Sequence, residues 1–357
     1  NIQESDKDTG AASFKDNSVA IISNGSFIPS LGKLPPDALL PLLEAKAVLY
    51  KKLSGIDAVP LVIKAEDPVE FAKTISNISP SFSAIDIDFV SKKFRKNLMD
   101  FLKTDLEIPC VISQEICRTT VMISGILTAV NALDLEVGTV KVALIHNSKP
   151  SLLNELLLGT GFLKKNIKNI TWKKIENFYS LPEPAEEEST PKSKEKSPIK
   201  GYNILICMDQ DEGVVPPALI DDLSTNSILF STAFPEAGFY PRNVHEQGVF
   251  VAATLMDKYP NRIGDEIFFP GFMRTVIDLG IKEVSTELLI EAAKAITEYM
   301  PDKRDRFSIF PEAGDKGFIE HLSVSLAKRA KMAGIIEVTS DHSMKQLIKK
   351  IKRNLRG

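Results

Sequence analysis

Apolar residues occur along the chain in two alternating patterns. Short continuous apolar runs are typical of buried strands, and they cover residues 19–23, 59–63, 84–87, 140–145, 167–172, 203–208 and 228–232. Between them, apolar residues recur every three or four positions. This spacing predicts helices over residues 37–48, 68–76, 89–106, 119–133 and 151–158, and further helices from 233 to about 333. Strands that alternate with helices predict an α/β fold.

Residues 181–201 interrupt this pattern with the sequence LPEPAEEESTPKSKEKSPIKG. The segment contains four prolines, dense charge of both signs and no aliphatic run. It cannot bury enough apolar surface to offset the entropy of ordering it, so we predict a disordered insertion. Its Thr190-Pro191 and Ser197-Pro198 dipeptides are candidate phosphorylation sites in a eukaryotic host.

The C-terminal tail, residues 335–357, ends in a predicted basic amphipathic helix. One face carries apolar residues and the rest of the helix carries cations, namely Lys345, Lys349, Lys350, Lys352, Arg353 and Arg356. The cations could bind an acidic partner or a lipid surface. Alternatively, the apolar stripe could pack on its own domain or on another subunit.

Composition and charge narrow the class of protein. The chain has 357 residues, 43% of them hydrophobic and 25% charged, with a net charge of −3, so we expect a soluble globular protein of about two domains without a specific attraction to nucleic acid. No apolar run reaches the roughly 20 residues of a transmembrane helix. The three cysteines, Cys110, Cys117 and Cys207, favour a reducing intracellular compartment: the cytoplasm, or an organelle matrix if a targeting segment was removed.

Three stretches carry a family resemblance. They are residues 19–63, with Ser30-Leu31-Gly32, Glu44-Ala45-Lys46-Ala47 and Leu53-Ser54-Gly55-Ile56-Asp57; ILFSTAFPEAGFYPR at 228–242; and YPNRIGDEIFFPGFMRTVID at 259–278. The chain resembles bacterial-type malic enzymes, which oxidatively decarboxylate malate with NAD or NADP and a divalent metal ion. The resemblance implies a polar segment over 1–18, an N-terminal malic-enzyme-type α/β domain over 19–116, and a Rossmann-like doubly wound domain over 117–334 that contains the insertion.

The resemblance also implies positions for the catalytic groups. Lys46 matches the family's general base, and Asp88 matches one of three carboxylates that bind Mg²⁺ or Mn²⁺. The other two carboxylate positions hold Ser113 and Gln114, although Glu115 nearby could compensate. The family's tyrosine acid lies well upstream of the first strand, and nothing in residues 1–18 matches it. We therefore expect either that the first domain is truncated or that this role is vacant.

The implied substrate and cofactor positions have changed. The two asparagines that hold malate in the family correspond to Phe234 and to the Gly264-Asp265 pair, and we interpret the nearby Asn261 as structural. The glycine-rich phosphate-binding turn corresponds to a segment without glycine, His146-Asn147-Ser148-Lys149-Pro150-Ser151. Glycines in such a turn let the backbone approach the pyrophosphate closely. The acidic residue that the resemblance implies for binding the adenosine ribose is missing, and Trp172-Lys173-Lys174 stand at about that place.

Residues that the resembled family uses for its fold are therefore retained, while most residues that it uses for catalysis, metal binding and cofactor binding have changed. This contrast predicts a pseudoenzyme without a cofactor. We expect it to have a structural or interaction role in a homo-oligomer, a hetero-oligomer or a larger assembly. The alternative is an active malic enzyme with a rearranged site that uses NAD or NADP and Mg²⁺ or Mn²⁺.

Overall fold

The computed structural model describes residues 13–28, 31–179, 197–208, 215–234, 236–301, 305–312, 314–338 and 340–356. Within these residues the strands are β1 (Ser18–Ser23), β2 (Asp57–Val62), β3 (Ala84–Ile87), β4 (Cys110–Ile112), β5 (Val142–His146), β6 (Ile167–Thr171), β7 (Ile204–Cys207), β8 (Ser227–Ser231) and β9 (Val249–Ala253). Short 3₁₀ helices cover Phe14–Asn17, Pro36–Leu39, Ser79–Ser81, Lys164–Asn166 and Asp265–Ile267.

The α-helices of the same residues alternate with the strands and then continue to the end of the chain. They are α1 (Leu40–Ser54), α2 (Pro68–Ile78), α3 (Lys92–Asp105), α4 (Ser113–Ala132), α5 (Ser151–Gly159), α6 (Trp172–Tyr179), α7 (Pro217–Asp221), α8 (Pro241–Glu246), α9 (Phe269–Leu279), α10 (Thr286–Tyr299), α11 (Lys316–Met332) and α12 (Asp341–Arg356). None of them is long and apolar enough to cross a membrane.

The chain forms two compact units. The first contains Asn1–Val121, Gly264–Tyr299 and Pro311–Gly357, and the second contains Met122–Ile263 and Met300–Phe310. Helices α9, α10 and α11 therefore belong to the first unit, whereas the sequence placed all of 117–334 in the second domain. The physical reason is apolar packing: α9 packs on α1, where the rings of Tyr50 and Phe269 lie 4.7 Å apart, and α11 packs on both α9 and α10.

The first unit is built on a four-stranded parallel sheet with the strand order β2-β1-β3-β4. Every residue of β1 and β3 is buried. Aromatic and aliphatic side chains of α2 and α3, including Phe71, Phe94 and Leu98, form a core with Ile22 and Ile85 of these central strands. The central strands are thus covered by helices, as parallel sheets require.

The second unit is built on a five-stranded parallel sheet with the order β6-β5-β7-β8-β9. The chain runs from β5 to β6 on one side and then returns to β7 on the other, so the strand order reverses beside β5. Doubly wound folds bind ligands at the carboxyl ends of the strands at such a reversal. The predicted α/β fold with a Rossmann-like second domain is confirmed. Strand β9 was not predicted, because the sequence was interpreted as helical beyond residue 232.

Two local predictions are corrected. The segment after β4, which was interpreted as a loop up to residue 118, is the first part of α4, because this helix begins at Ser113 directly after the strand. Most of the predicted disordered insertion, residues 181–196, lies outside the described residues. Residues 197–201 form an ordered turn instead, because Ile199 is fully buried in the core of the second unit and the Ser197 hydroxyl lies 3.0 Å from that of Tyr179.

The C-terminal helix α12 packs its apolar stripe on its own unit. Met344 and Ile351 are buried against Ala327 of α11. Asn354 donates a 2.8 Å hydrogen bond to Asp278 of α9. Of the two orientations considered from the sequence, the structure therefore has the one that buries the apolar stripe and leaves most of the cations at the surface.

Candidate functional site

Lys46 lies at the centre of a cluster of charged and polar groups in the first unit. Its Nζ atom is 2.9 Å from Oδ2 of Asp86 and 2.7 Å from Oδ2 of Asp88. It also donates a 2.6 Å hydrogen bond to Oγ of Ser113. The contacts with Asp88 and Ser113 are hydrogen bonds, and the contact with Asp86 is an ion pair.

Secondary-structure periodicity brings the partners of Lys46 together. Asp86 lies in β3 and Asp88 follows its last residue, two positions on, so both carboxylates are on the same face of the sheet. Tyr50 lies one helical turn after Lys46 on α1, and its hydroxyl donates a 2.6 Å hydrogen bond to Oδ2 of Asp86. Ser113 is the first residue of α4. The Oδ1 atom of Asp86 is buried and has no hydrogen-bond partner within the described residues.

The electrostatics of the cluster keep Lys46 charged. Burial alone would lower the pKa of Lys46, but the negative charges of Asp86 and Asp88 outweigh burial and hold this pKa well above its ordinary value. Burial and the charge of Asp86 raise the pKa of the Tyr50 hydroxyl. Burial likewise raises the pKa of the Cys117 thiol. At neutral pH the cluster therefore contains an ammonium ion, a neutral phenol and a neutral thiol.

Asp265 adds an acid whose ionisation is perturbed. Burial raises the pKa of Asp265 to about 6, the charge of Arg118 opposes this shift, and the charge of Asp88 adds to it. Its Oδ1 atom and the Nε atom of Arg118 are both buried without a hydrogen-bond partner within the described residues. The position that holds a neutral amide in the resembled family is thus a carboxyl group that favours its protonated form more than an ordinary aspartate does.

The turn after β5 is the candidate phosphate-binding segment of the second unit. His146 ends β5 and is buried, and its Nε2 atom lies 3.1 Å from Oδ1 of Asn169 on β6. Asn154 on α5 also bonds to Asn169 through its side chain. The carbonyl of Pro150 accepts hydrogen bonds from the backbone and side-chain amides of Asn154. Of the three residues predicted to line this turn, His146 is buried, and Asn147 and Ser148 are exposed.

The next strand, β6, ends without a loop. Trp172 is the first residue of α6 and is buried in the core of the second unit. Its indole nitrogen donates a 2.7 Å hydrogen bond to the carbonyl of Met208. At the place where the resemblance implies a ribose-binding acid, the chain therefore has a buried tryptophan that is hydrogen-bonded to the segment after β7.

Curated malic enzymes match the chain over most of its length. The chain is 25% identical to the NAD-dependent malic enzyme of Geobacillus stearothermophilus over 349 residues, which cover 94% of this chain and 71% of that enzyme. It is 22% identical to the bifunctional malic/malolactic enzyme of Bacillus subtilis over 351 residues, which cover 92% of this chain and 82% of that enzyme. The chain is thus similar in sequence to malic enzymes over more than 90% of its length. No family model matches the chain.

Solved malic enzyme structures share the fold. A malic enzyme from Pyrococcus horikoshii superimposes with a TM-score of 0.84 and 22% identity, covering 99% of this chain and 85% of that one. A malic enzyme from Entamoeba histolytica superimposes with a TM-score of 0.84 and 21% identity, covering 99% of this chain and 77% of that one. The resemblance drawn from the three sequence stretches is thus confirmed at the level of family and fold.

The divalent metal ion that the malic enzyme family implies does not fit the side chains of this chain. In the described part of the chain, no three His, Cys, Asp or Glu side chains are grouped to hold a metal ion. Asp88, the matched ligand, is ion-paired to Lys46. The Glu115 side chain is 48% exposed and pairs with Arg95 at 3.3 Å. A hard divalent ion prefers several oxygen ligands, and here Lys46 already occupies one carboxylate oxygen of Asp86 and one of Asp88.

The turn that the resemblance assigns to the dinucleotide also lacks the usual phosphate-binding features. The turn over 146–151 has no glycine, and α5 begins after Pro150 without a side-chain cap. A proline has no N–H group to donate to a phosphate at a helix N-terminus. Phe234, which the resemblance aligns with a malate-binding asparagine, presents a partly exposed phenyl ring, and a phenyl ring offers a dicarboxylate no hydrogen bond. The residues present therefore do not match a pyrophosphate or malate in the family's manner.

The sequence identified Lys46 and Asp88 but missed two residues that bind to the same centre. Asp86 and Tyr50 were not singled out, although their spacing from Asp88 and Lys46 is the period of a strand and of a helix. Asn261 is structural, as interpreted from the sequence: it adopts a positive φ of 58°, donates to the carbonyl of Arg306 and accepts from the amide of Ile309.

Proposed function

We propose that this chain is a member of the malic enzyme family that no longer catalyses malate oxidation and that acts as a structural or interaction protein. The observation that supports this most directly is the state of Lys46. A general base must release its proton near neutral pH. The Lys46 ammonium is held by two carboxylates and a hydroxyl, which favours its protonated form and disfavours the role of general base.

The experiment is an assay of the whole chain with malate, Mn²⁺ and either NAD or NADP. We expect no reduced nicotinamide above background. The NAD-dependent malic enzyme of Geobacillus stearothermophilus, assayed at the same protein concentration, is the positive control. Formation of reduced nicotinamide by this chain would contradict the proposal and support the alternative, an active malic enzyme that uses NAD or NADP with Mg²⁺ or Mn²⁺.

Binding of the cofactors is tested separately by thermal-shift titration with NAD and NADP. A ligand that binds the native state raises the melting temperature in proportion to the logarithm of its concentration above Kd. We expect no concentration-dependent rise for this chain and a clear rise for the active relative. A comparable rise for both proteins would overturn the proposed loss of the dinucleotide site.

The exposed face of α12 is the proposed interaction surface, and the proposed partner is an acidic protein segment. Within the described residues, no ion pair engages four cations that line one shallow depression, namely Lys345, Lys349, Arg353 and Arg356. They repeat every three or four positions along one side of the helix. The apolar stripe is buried against the first unit and so is not available to insert into a lipid bilayer. The free cations therefore favour an acidic partner.

Fluorescence anisotropy with a labelled poly-glutamate peptide tests this surface. We expect binding that weakens with added salt and is lost in the double variant Lys349→Glu/Arg353→Glu. The control is Lys164→Glu/Lys165→Glu, a double charge reversal at exposed lysines of the second unit. Binding to phosphatidylserine vesicles without binding to the peptide would contradict the acidic-segment partner and favour the lipid surface.

We also propose that the chain assembles with copies of itself through α1. Leu42 and Val48 of this helix are 43% and 62% exposed, although apolar side chains of this size are usually buried. Sedimentation equilibrium should give a dimer or larger species, and Leu42→Glu/Val48→Glu should shift it towards the monomer. A wild-type chain that is monomeric at all concentrations would contradict this.

A further inference from the structure

We propose that the Lys46 ammonium is an internal cation that takes the place of a divalent metal ion, and that removing it converts its partners into a divalent-cation site. This inference deepens the proposed function and rests on it. The first support is the ligand set. Three oxygens, from Asp86, Asp88 and Ser113, lie 2.6–2.9 Å from Nζ. Carboxylate and hydroxyl oxygens are also the donors that Mg²⁺ and Mn²⁺ prefer.

The second support is the charge of the cluster. Asp86 and Asp88 carry two negative charges around one ammonium ion. Without the ammonium they would form a pair of buried like charges, which a divalent cation would neutralise completely. Tyr50 contributes only a neutral O–H donor to Asp86. The variant site would therefore match a divalent cation in charge as well as in ligand type.

The third support is an unused acceptor beside the ammonium. Asp86 is fully buried, and its Oδ1 atom has no hydrogen-bond partner within the described residues. The Lys46 ammonium contacts only the Oδ2 atom of Asp86 and donates hydrogen bonds to Asp88 and Ser113. A divalent ion has room for six or more oxygen ligands and commonly keeps several waters. A hydrated ion in the space left by the lysine side chain could therefore bind an oxygen that the ammonium leaves without a partner.

The wild-type chain should exclude a divalent ion because its own cation is covalently attached to the site. An intramolecular partner competes at a high effective concentration, and the Lys46 side chain is only 11% exposed. An incoming ion would also have to approach a buried positive charge. Metal binding should therefore depend on whether Lys46 is present rather than on the metal concentration alone.

The test is a Mn²⁺ titration, followed by electron paramagnetic resonance of free Mn²⁺, on the full chain and three variants. We expect Lys46→Ala to bind one Mn²⁺ per chain with an affinity higher than that of the wild type by about tenfold or more, and its melting temperature to rise on adding Mn²⁺. The double variant Lys46→Ala/Asp88→Asn should lose this gain. Lys51→Ala is the matched control, because Lys51 lies on the same helix in an exposed pair with Asp57. It should behave like the wild type.

Two results would overturn the inference. One is a wild-type chain that binds Mn²⁺ as tightly as Lys46→Ala, and the other is a folded Lys46→Ala variant without a gain in affinity. If Lys46→Ala does not fold in the absence of metal, recovery of its near-ultraviolet circular dichroism with Mn²⁺ supports the inference, and no recovery overturns it. The malate assay separates the two proposals: activity of the wild type contradicts the proposed function, whereas an inactive wild type with no gain in the variant contradicts only the internal cation.

Discussion

The hydroxyl of Tyr50 donates a 2.6 Å hydrogen bond to Oδ2 of Asp86, the same oxygen that lies 2.9 Å from the Lys46 ammonium. This oxygen therefore accepts a hydrogen bond from Tyr50 and forms an ion pair with Lys46, two residues that lie four positions apart on one face of α1. The helix is held against β3 by polar contacts at this point, and by the packing of the Tyr50 ring on Phe269. The cluster thus stabilises the first unit whether or not it has a chemical role.

Replacement of Tyr50 by phenylalanine tests this stabilisation. The change keeps the ring and its contact with Phe269 but removes one of the donors to a buried carboxylate. We expect the free energy of unfolding to fall by about 1–3 kcal/mol, measured by urea denaturation. Tyr240→Phe is the control, since Tyr240 is 55% exposed and should change stability little. Equal stability of Tyr50→Phe and the wild type would show that the hydroxyl contributes nothing net.

The Arg274–Asp278 pair on α9 gives a second prediction. Arg274 is fully buried, donates to both carboxylate oxygens of Asp278 at 2.9 and 2.8 Å, and also donates to Asn17. Arg274→Ala leaves Asp278 buried without its main counter-charge, so we expect a loss of about 3–5 kcal/mol in unfolding free energy. Arg274→Met/Asp278→Leu should recover most of that loss, because it removes both buried charges.

An exposed pair of the same spacing is the control for this prediction. Arg242 and Glu246 are also four residues apart on a helix, at 3.3 Å, with both side chains exposed. Arg242→Ala should cost less than about 1 kcal/mol. Similar losses at Arg274 and Arg242 would contradict the view that burial makes the difference.

Asp265 predicts a pH dependence of stability. Its pKa is raised by burial to about 6 in the folded chain, compared with an ordinary value of 3.8. The folded state therefore favours the protonated carboxyl, and the stability contributed by this preference is present below about pH 4 and is lost as the pH rises to about 6. Asp265→Asn should be more stable than the wild type at pH 7 by on the order of 1–3 kcal/mol, with the difference vanishing near pH 4.

Thermal denaturation at several pH values between 4 and 7 measures the effect of Asp265→Asn. Asp16→Asn, at an exposed position, is the control and should follow the wild type at every pH. A constant offset between Asp265→Asn and the wild type would mean that the side chain does not titrate in this range.

Gly125 on α4 predicts the effect of overpacking in the second unit. A Cβ atom at this position would lie 2.5 Å from the ring of Phe310 and 3.2 Å from that of Phe230. We expect Gly125→Ala to lower the unfolding free energy by about 1–3 kcal/mol, despite the better helix propensity of alanine. Gly138→Ala, whose Cβ atom would meet nothing within 4 Å, should be neutral or stabilising. Stabilisation by Gly125→Ala would show that Phe310 moves aside freely.

The sequence predicted the α/β fold and most strand positions well, because buried parallel strands such as 19–23 and 84–87 are continuous apolar runs. It placed α9, α10 and α11 in the wrong compact unit. Apolar periodicity identifies a helix but does not say which surface its apolar face covers. The predicted end of the disordered insertion was also wrong. Ile199, an aliphatic residue near this end, is buried in the core of the second unit, and local composition does not show which core a residue joins.

The candidate site was only partly predictable. Family motifs placed Lys46 and Asp88, and the spacing of Tyr50 and Asp86 could have added two more members of the cluster. What no spacing predicts is that Lys46, the Asp86 and Asp88 pair, and Ser113, from three different parts of the chain, would meet at one point. The charge state of Lys46 depends on this three-dimensional arrangement, so it could be inferred only from the structure.

The first compact unit is assembled from three separate stretches of chain, which affects the order of events during synthesis. Strands β5–β9 emerge from the ribosome before α9–α12, so the second sheet can form while the first unit still lacks its last helices. The Tyr50 ring can pack on Phe269 only after the chain between these two residues has been synthesised. At ordinary translation rates this synthesis takes on the order of 10–40 s. During that interval the apolar surface of α1 that later packs on α9 remains uncovered, and the nascent chain is most exposed to aggregation and to chaperones.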